Sequence, residues 1–147
     1  MSEQMVFMEE EHLDACVELY QDVFNRSPWN ESWTEETAKE RLADLMNTPK
    51  FLGFVFYEHS QLIGFIAGNS KRTYSGLTFY IAELCVNNNI QGKGYGSKML
   101  KRFEEELKRR EIPSLYLLTA KQGLAKLFYE KNGYRVNENR FVMTRAL

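Results

Sequence analysis

The chain has 147 residues, 44% apolar and 27% charged, with only three prolines and nine glycines, which excludes disordered, collagen-like and low-complexity classes and predicts one domain, 1–147. No apolar run approaches the ~18 residues that cross a bilayer, and the N-terminus carries Glu3, Glu9, Glu10 and Glu11 instead of a basic then apolar leader, so a cytoplasmic protein without a membrane partner is expected. The net charge of −1 conceals a division: residues 1–50 hold 12 acids and 4 bases (−8), residues 51–147 hold 8 acids and 15 bases (+7), and no dense Lys/Arg tract points to nucleic acid.

Residues 4–8 read as a first strand. Leu13, Cys16, Val17, Tyr20 and Phe24 then recur at i, i+3, i+4, i+7 and i+11, the period of an amphipathic helix. Pro28, Trp29 and Trp33 interrupt the pattern. Ser32 and Glu35 have capping-box spacing ahead of Ala38, Leu42, Leu45 and Met46, which predicts a second helix ending near Asn47. Residues 51–57 and 62–67 are aromatic- and β-branched-rich runs separated by polar residues 58–61, the pattern of a hairpin. After a polar loop at 71–76, residues 77–86 are apolar on both alternating faces, as in a strand covered on both sides.

Met99, Leu100, Phe103 and Leu107 stripe a third helix, with Glu104–Lys108, Glu105–Arg109 and Glu106–Arg110 spaced for i,i+4 pairing. Residues 114–119 read as a strand, 124–131 as a helix stopped by Asn132 and Gly133, and 134–136 and 141–144 as closing strands. The order is β-α-α-β-β-β-α-β-α-β-β, an α+β chain of about seven strands and four helices. Cys16 and Cys85 each stand alone in an apolar stretch without paired-ligand spacing, so burial is expected and neither a metal nor a disulfide.

Gln91, Gly92, Lys93, Gly94, Tyr95, Gly96, Ser97 and Lys98 form a glycine-rich junction between the central strand and the third helix. Glycines let backbone approach an anion, N–H groups converge on it and the helix N-terminus adds partial positive charge, with Lys93 and Lys98 supplying full ones. The same glycines would also serve a tight turn. A Walker A loop needs four residues between its first glycine and Gly-Lys-Ser/Thr, and a Rossmann turn needs glycines at its first, third and sixth positions. The alternation of Gly92, Gly94 and Gly96 meets neither rule, which excludes both nucleotide classes.

The spacing Gln91-x-x-Gly94-x-Gly96 after Glu83-Leu84-Cys85-Val86 resembles the acetyl-CoA loop of the GNAT superfamily of N-acetyltransferases. The run Gln122-x-x-Ala125-x-x-Phe128-Tyr129-Glu130-Lys131-x-Gly133-Tyr134 is similar to that family's second signature. The resemblance covers residues 62–134 closely and the N-terminal helices loosely. It implies a twisted mixed sheet in α/β/α layers whose fourth and fifth strands splay to admit acetyl-CoA as co-substrate. Backbone N–H groups of residues 92–97 would hold the pyrophosphate, Gln91 and Gln122 would contact the donor, and Leu84, Cys85 and Val86 would pair with the pantetheine amides, so their side chains need only be apolar.

An alkylamine with a pKa near 10.4 is about one part in 10³ neutral at pH 7, so acetylation needs a proton acceptor. Glu83, the sole acid between Glu58 and Glu104, is the candidate base, directly or through water; a carboxylate in a structural hydrogen-bond network is the equal alternative. Tyr129 matches the family's tyrosine acid for the leaving thiol, whereas its pattern alone reads as a core aromatic on an amphipathic helix. Two departures stand out: Gln122 replaces a common asparagine, and Leu117 replaces the acid that some protein N-terminal acetyltransferases carry.

Phe24, Trp29 and Trp33 would wall an amine pocket, with Asp22, Glu31 or Glu35 attracting its charge, or would simply cover the core. The expected partner is therefore a small-molecule amine, a homodimer is left open, and no metal is expected. A peptide or protein amine, and a non-catalytic acyl-CoA sensor, are the competing readings.

Overall fold

Two aromatic-rich runs build the centre of the sheet. Strand β2 (Phe51–Glu58) turns into β3 (Gln61–Thr73) through His59 and Ser60, both at positive φ (50° and 64°), the left-handed pair that suits a two-residue hairpin turn. The computed structural model describes residues 3–87 and 93–147. These form two compact units, Met1–Leu117 and Leu118–Leu147.

In the first unit, β1 (Glu3–Phe7) pairs with β2, β3 pairs with β4 (Gly76–Val86), and β4 pairs with the short β5 (Leu115–Leu117). The β1–β2, β2–β3 and β3–β4 pairings are antiparallel and β4–β5 is parallel, so the sheet is mixed, in the order β1-β2-β3-β4-β5. A 3-10 turn (Glu10–His12), α1 (Leu13–Phe24) and α2 (Glu35–Met46) connect β1 to β2, and α3 (Tyr95–Arg109) connects β4 to β5.

Period-2 alternation assigns the sheet's two faces. Val55, Phe65, Ala67 and Cys85 pack with Cys16, Val17, Tyr20, Ala38 and Leu42 of α1 and α2. On the opposite face Phe54 and Phe79 meet Phe103 of α3 edge-on, with ring centroids 5.8 and 5.1 Å apart. Met99, Leu100, Phe103 and Leu107 are all buried, as their spacing predicts. On the outside of α3, Glu106 gathers both Arg109 and Arg110.

Several expectations are corrected. The capping box of α2 is Thr34 with Thr37, whose side chains and backbone N–H groups bond reciprocally at 3.0 Å, rather than Ser32 with Glu35. Strand β3 runs on to Thr73, because residues 69–73 pair with 76–80 of β4, where composition suggested a loop. In the second unit α4 (Leu124–Lys131) has the expected limits, and Gly133 at φ 93° follows its last turn. The closing strands at 134–136 and 141–144 are not formed, so the described residues show five strands and not seven. Short apolar runs become strands only by pairing, and here Phe141 and Met143 are each 84% exposed.

Candidate functional site

A bulge in β4 decides which way Glu83 faces. Ala67 pairs with Glu83 and Gly68 with Ile81, so Ala82 is an extra residue on β4. Phe79 and Ile81 precede the bulge on the α3 face; without it Glu83 would follow them there, but the inserted residue turns Glu83 and Cys85 toward α1 and α2. Gly68 makes this possible, since a Cβ at that position would stand 1.8 Å from the Tyr80 carbonyl oxygen.

Glu83 is 7% exposed and meets two donors. The Tyr20 hydroxyl from α1 donates to Oε2 at 3.1 Å, and Arg41 Nε from α2 donates to the same oxygen at 2.9 Å. Among the described residues no donor reaches Oε1, and no buried side-chain oxygen is left unpartnered, so Oε1 keeps some solvent contact. Burial raises the Glu83 pKa above the ordinary carboxylate value, and the Arg41 charge is the principal force opposing that rise. Tyr20 is held far above its usual pKa, first by burial and then by the Glu83 charge.

The three acceptor-side aromatics converge on this carboxylate through Tyr20. Its ring lies 4.7 Å from Phe24 and 5.1 Å from Trp33, Phe24 meets Trp29 edge-on at 5.2 Å, and Arg41 lies over Trp33 at 5.9 Å. Asn25 fixes Trp33 by accepting from its N–H (2.7 Å) and donating to its carbonyl (2.8 Å). Trp33 donates its indole N–H to Glu31 at 2.6 Å, so that carboxylate is engaged by the aromatic wall itself. Tyr20 and Arg41 were absent from the sequence-derived site: Tyr20 fits the apolar stripe of α1, and nothing local links Arg41 to a strand 42 positions away.

At the glycine junction, Gly94 caps α3 at φ 80°, ψ 9°, the left-handed region, and among the described residues no side chain caps the helix. The first-turn N–H groups of Tyr95, Gly96 and Ser97 thus head a 15-residue helix, an arrangement that fits a phosphate. Lys93 is exposed beside it. Gln91 and Gly92 lie outside the described residues. Tyr95 is tied down by its hydroxyl, which donates to Glu58, and by its ring, 6.0 Å from Phe56. Lys98 corrects the expectation of a second phosphate cation, because its ammonium donates to Glu3 Oε2 at 2.7 Å. The cross-strand neighbours Glu3 and Glu58 thereby anchor successive turns of α3.

Along β4, pairing with β5 covers Phe79 to Ile81 and stops, while β3 continues beside β4 to Val86. Leu84 and Val86 are half-buried and Cys85 is fully buried, with its thiol pKa pushed well up by desolvation. Within the second unit, Gln122 is exposed just ahead of α4, and Tyr129 is half-buried with its ring 5.1 Å from Phe128 and 5.6 Å from Tyr134. Among the described residues no helix is long and apolar enough to cross a membrane, and no three His, Cys, Asp or Glu side chains cluster as metal ligands.

A Bacillus subtilis (strain 168) protein, the uncharacterized protein YxbD, is 31% identical over 88 residues, 55% of each chain, so this chain spans about half the length of the curated relative it matches. A possible acetyltransferase from Clostridium difficile 630 superposes with a TM-score of 0.82 at 14% identity over 100% of both chains. An aminoglycoside N-acetyltransferase in complex with CoA superposes with a TM-score of 0.77 at 12% identity, over 98% of this chain and 94% of that one. Such low identities speak to the fold alone. The Acetyltransferase (GNAT) family model matches residues 13–134, most of the chain, and the chain belongs to the GNAT family of acetyltransferases.

Proposed function

We propose that the protein transfers the acetyl group of acetyl-CoA to a primary amine of a small molecule, by direct attack in a ternary complex. The observation that carries the amine reading is Glu83: a buried carboxylate on β4, held through Oε2 by Arg41 and Tyr20, with Oε1 outside those two bonds, Phe24 and Trp33 against Tyr20, and Trp29 against Phe24. The superposed aminoglycoside N-acetyltransferase, solved with CoA, supports both the donor and an amine acceptor.

Acetyl-CoA supplies an acyl thioester activated toward attack. The protein's part begins with the donor: N–H groups of Tyr95, Gly96 and Ser97 and the charge of Lys93 meet the pyrophosphate, Gln122 adds a contact, and the β4 backbone at Leu84, Cys85 and Val86 offers strand-like pairing to the pantetheine amides. Removing the acceptor's proton at pH 7 costs about 4 to 5 kcal/mol. Glu83 Oε1 takes it, directly or through one water, while the Arg41 charge opposes the rise in the carboxyl's pKa that burial causes. Tyr129 donates a proton to the departing sulfur. The aromatic wall excludes water and flanks the amine's carbon skeleton.

Turnover of labelled acetyl-CoA across polyamines, aminoglycosides, amino acids and peptides tests this reading. Label is expected on small primary amines, and Glu83→Gln should lower kcat/KM by about 10²-fold or more. Label confined to peptide or protein amines would move the acceptor class, and tight CoA binding with no amine turned over would make the chain an acyl-CoA sensor.

A further inference from the structure

We infer that the face of the sheet bearing Glu83 also carries an anion subsite, in which Lys71, framed by Tyr80 and Tyr116, binds a carboxylate on the acceptor. The inference rests on the amine reading and narrows it to amino carboxylates. Ala67, Asn69 and Lys71 alternate onto one face of β3, and their partners Glu83, Tyr80 and Thr78 make a row on β4. Tyr116 of β5 pairs with Tyr80, the two rings 5.1 Å apart.

Lys71 is placed rather than free. Its ammonium donates to the Tyr116 hydroxyl at 2.7 Å and lies 5.0 Å from the Tyr80 ring centroid and 5.4 Å from that of Tyr116. The rotamer freedom that an exposed lysine would lose on binding a ligand is thus already reduced. One of its three N–H donors serves Tyr116, two remain, and among the described residues no carboxylate pairs with it. The Thr78 and Ser114 hydroxyls, 3.0 Å apart, add neutral polar groups at its side. Arg41, a cation of α2 on the same side of the sheet, is taken by Glu83.

The spacing sets the ligand. Four residues of β3 separate Lys71 from the partner of Glu83, about 13 Å of strand at ~3.3 Å per residue, and the ammonium leans back over Tyr80, which leaves on the order of 10 Å between the two charges. Subtracting a contact of roughly 3 Å at each end leaves an amine and a carboxylate separated by about four to seven ångströms, as in an ω-amino acid or the side-chain amine of an amino acid. A second ammonium at the same place would meet Lys71 as a like charge, so polyamines and aminoglycosides fit this row poorly.

The test uses ω-amino acids of four to eight carbons, their carboxamides and simple alkylamines, in binding by calorimetry with CoA present and in acetyl transfer. The wild type is expected to favour the best carboxylate over its carboxamide about fivefold or more, with the preference falling at high salt, lost in Lys71→Met and retained in Lys71→Arg. Equal affinities for carboxylate and carboxamide throughout the series, or a preference that survives in Lys71→Met, would overturn the subsite. Lys71-dependent carboxylate binding with no acetyl transfer to any amine would uphold it while refuting the proposed reaction, and alkylamine transfer without carboxylate preference would do the reverse.

Discussion

Arg41 Nε lies 2.9 Å from Glu83 Oε2, joining the middle of α2 to β4 one residue beyond the bulge. The pair is unequal: Glu83 is almost fully buried, whereas the Arg41 side chain is half exposed. Burial raises the acid's pKa and Arg41 opposes the rise, so the pair sets the fraction of Glu83 able to accept a proton.

If Glu83 is the base, kcat/KM should fall on the acid side as Glu83 protonates, and Arg41→Met should move that limb to higher pH because it removes the chief force lowering the pKa. The variant's deficit should therefore be larger at pH 6 than at pH 8. Stability carries its own sign. A carboxyl whose folded pKa is raised contributes stability fully present below its unfolded pKa and lost as pH rises through the folded one, so Glu83→Gln should gain stability relative to wild type as pH increases. Thermal melts and rate profiles over pH 5 to 9 check both; a limb that moves downward, or not at all, would remove the Arg41–Glu83 pair from the chemistry.

Gly94 permits a cleaner substitution than most glycines. Among the described residues a Cβ there would meet nothing within 4 Å, so the cost of Gly94→Val is set by its φ of 80°. The fold should survive with a loss of about 1 to 2 kcal/mol, while acetyl-CoA affinity falls at least tenfold as the first-turn N–H groups tilt. Gly94→Asn should keep more of both, since asparagine tolerates left-handed backbone. Calorimetry on the folded variants decides: wild-type affinity in Gly94→Val would take the donor away from this junction.

Lys98 offers a test in the opposite direction. Its ammonium is held by Glu3, and Glu3 in turn has its pKa lowered by that hydrogen bond. Glu3→Gln should release the cation near the N-terminal end of α3 and tighten acetyl-CoA binding about two- to threefold at low salt, an advantage that high salt abolishes. Unchanged affinity at low ionic strength would leave Lys98 a purely structural partner of β1.

These relationships mark where sequence reading succeeds and where it stops. The stripe of α3 and the limits of α4 were legible because local periodicity and a glycine stop determine them. The facing of Glu83 was not, since the bulge at Ala82 arises from cross-strand register, and an apolar alternation carries no record of one inserted residue. The same limit hid Arg41 and Tyr20, and it gave Lys98 to the phosphate when β1 supplies its acid. The missing strands at 134–136 and 141–144 fail for a related reason: β-propensity states what a segment would do if it were offered a partner.

Tyr129 puts the proposed chemistry most directly at risk. Its half-buried ring packs against Phe128 and Tyr134, and Tyr134 N–H donates to the Tyr129 carbonyl at 3.0 Å, contacts that Tyr129→Phe leaves in place. A packing role for the ring therefore predicts near-normal turnover. The acid role predicts that kcat falls by about 10²-fold or more, since positioned proton transfer contributes roughly 10²- to 10⁴-fold, while acetyl-CoA affinity stays within a few-fold. The loss should shrink with an acyl donor whose thiol is more acidic, because a better leaving group needs less protonation. Single-turnover kinetics, where chemistry limits the rate, make the comparison direct. Unchanged kcat from pH 6 to 9 in a folded Tyr129→Phe enzyme would exclude the hydroxyl from the mechanism and leave a protein that accelerates transfer chiefly by holding its two substrates together.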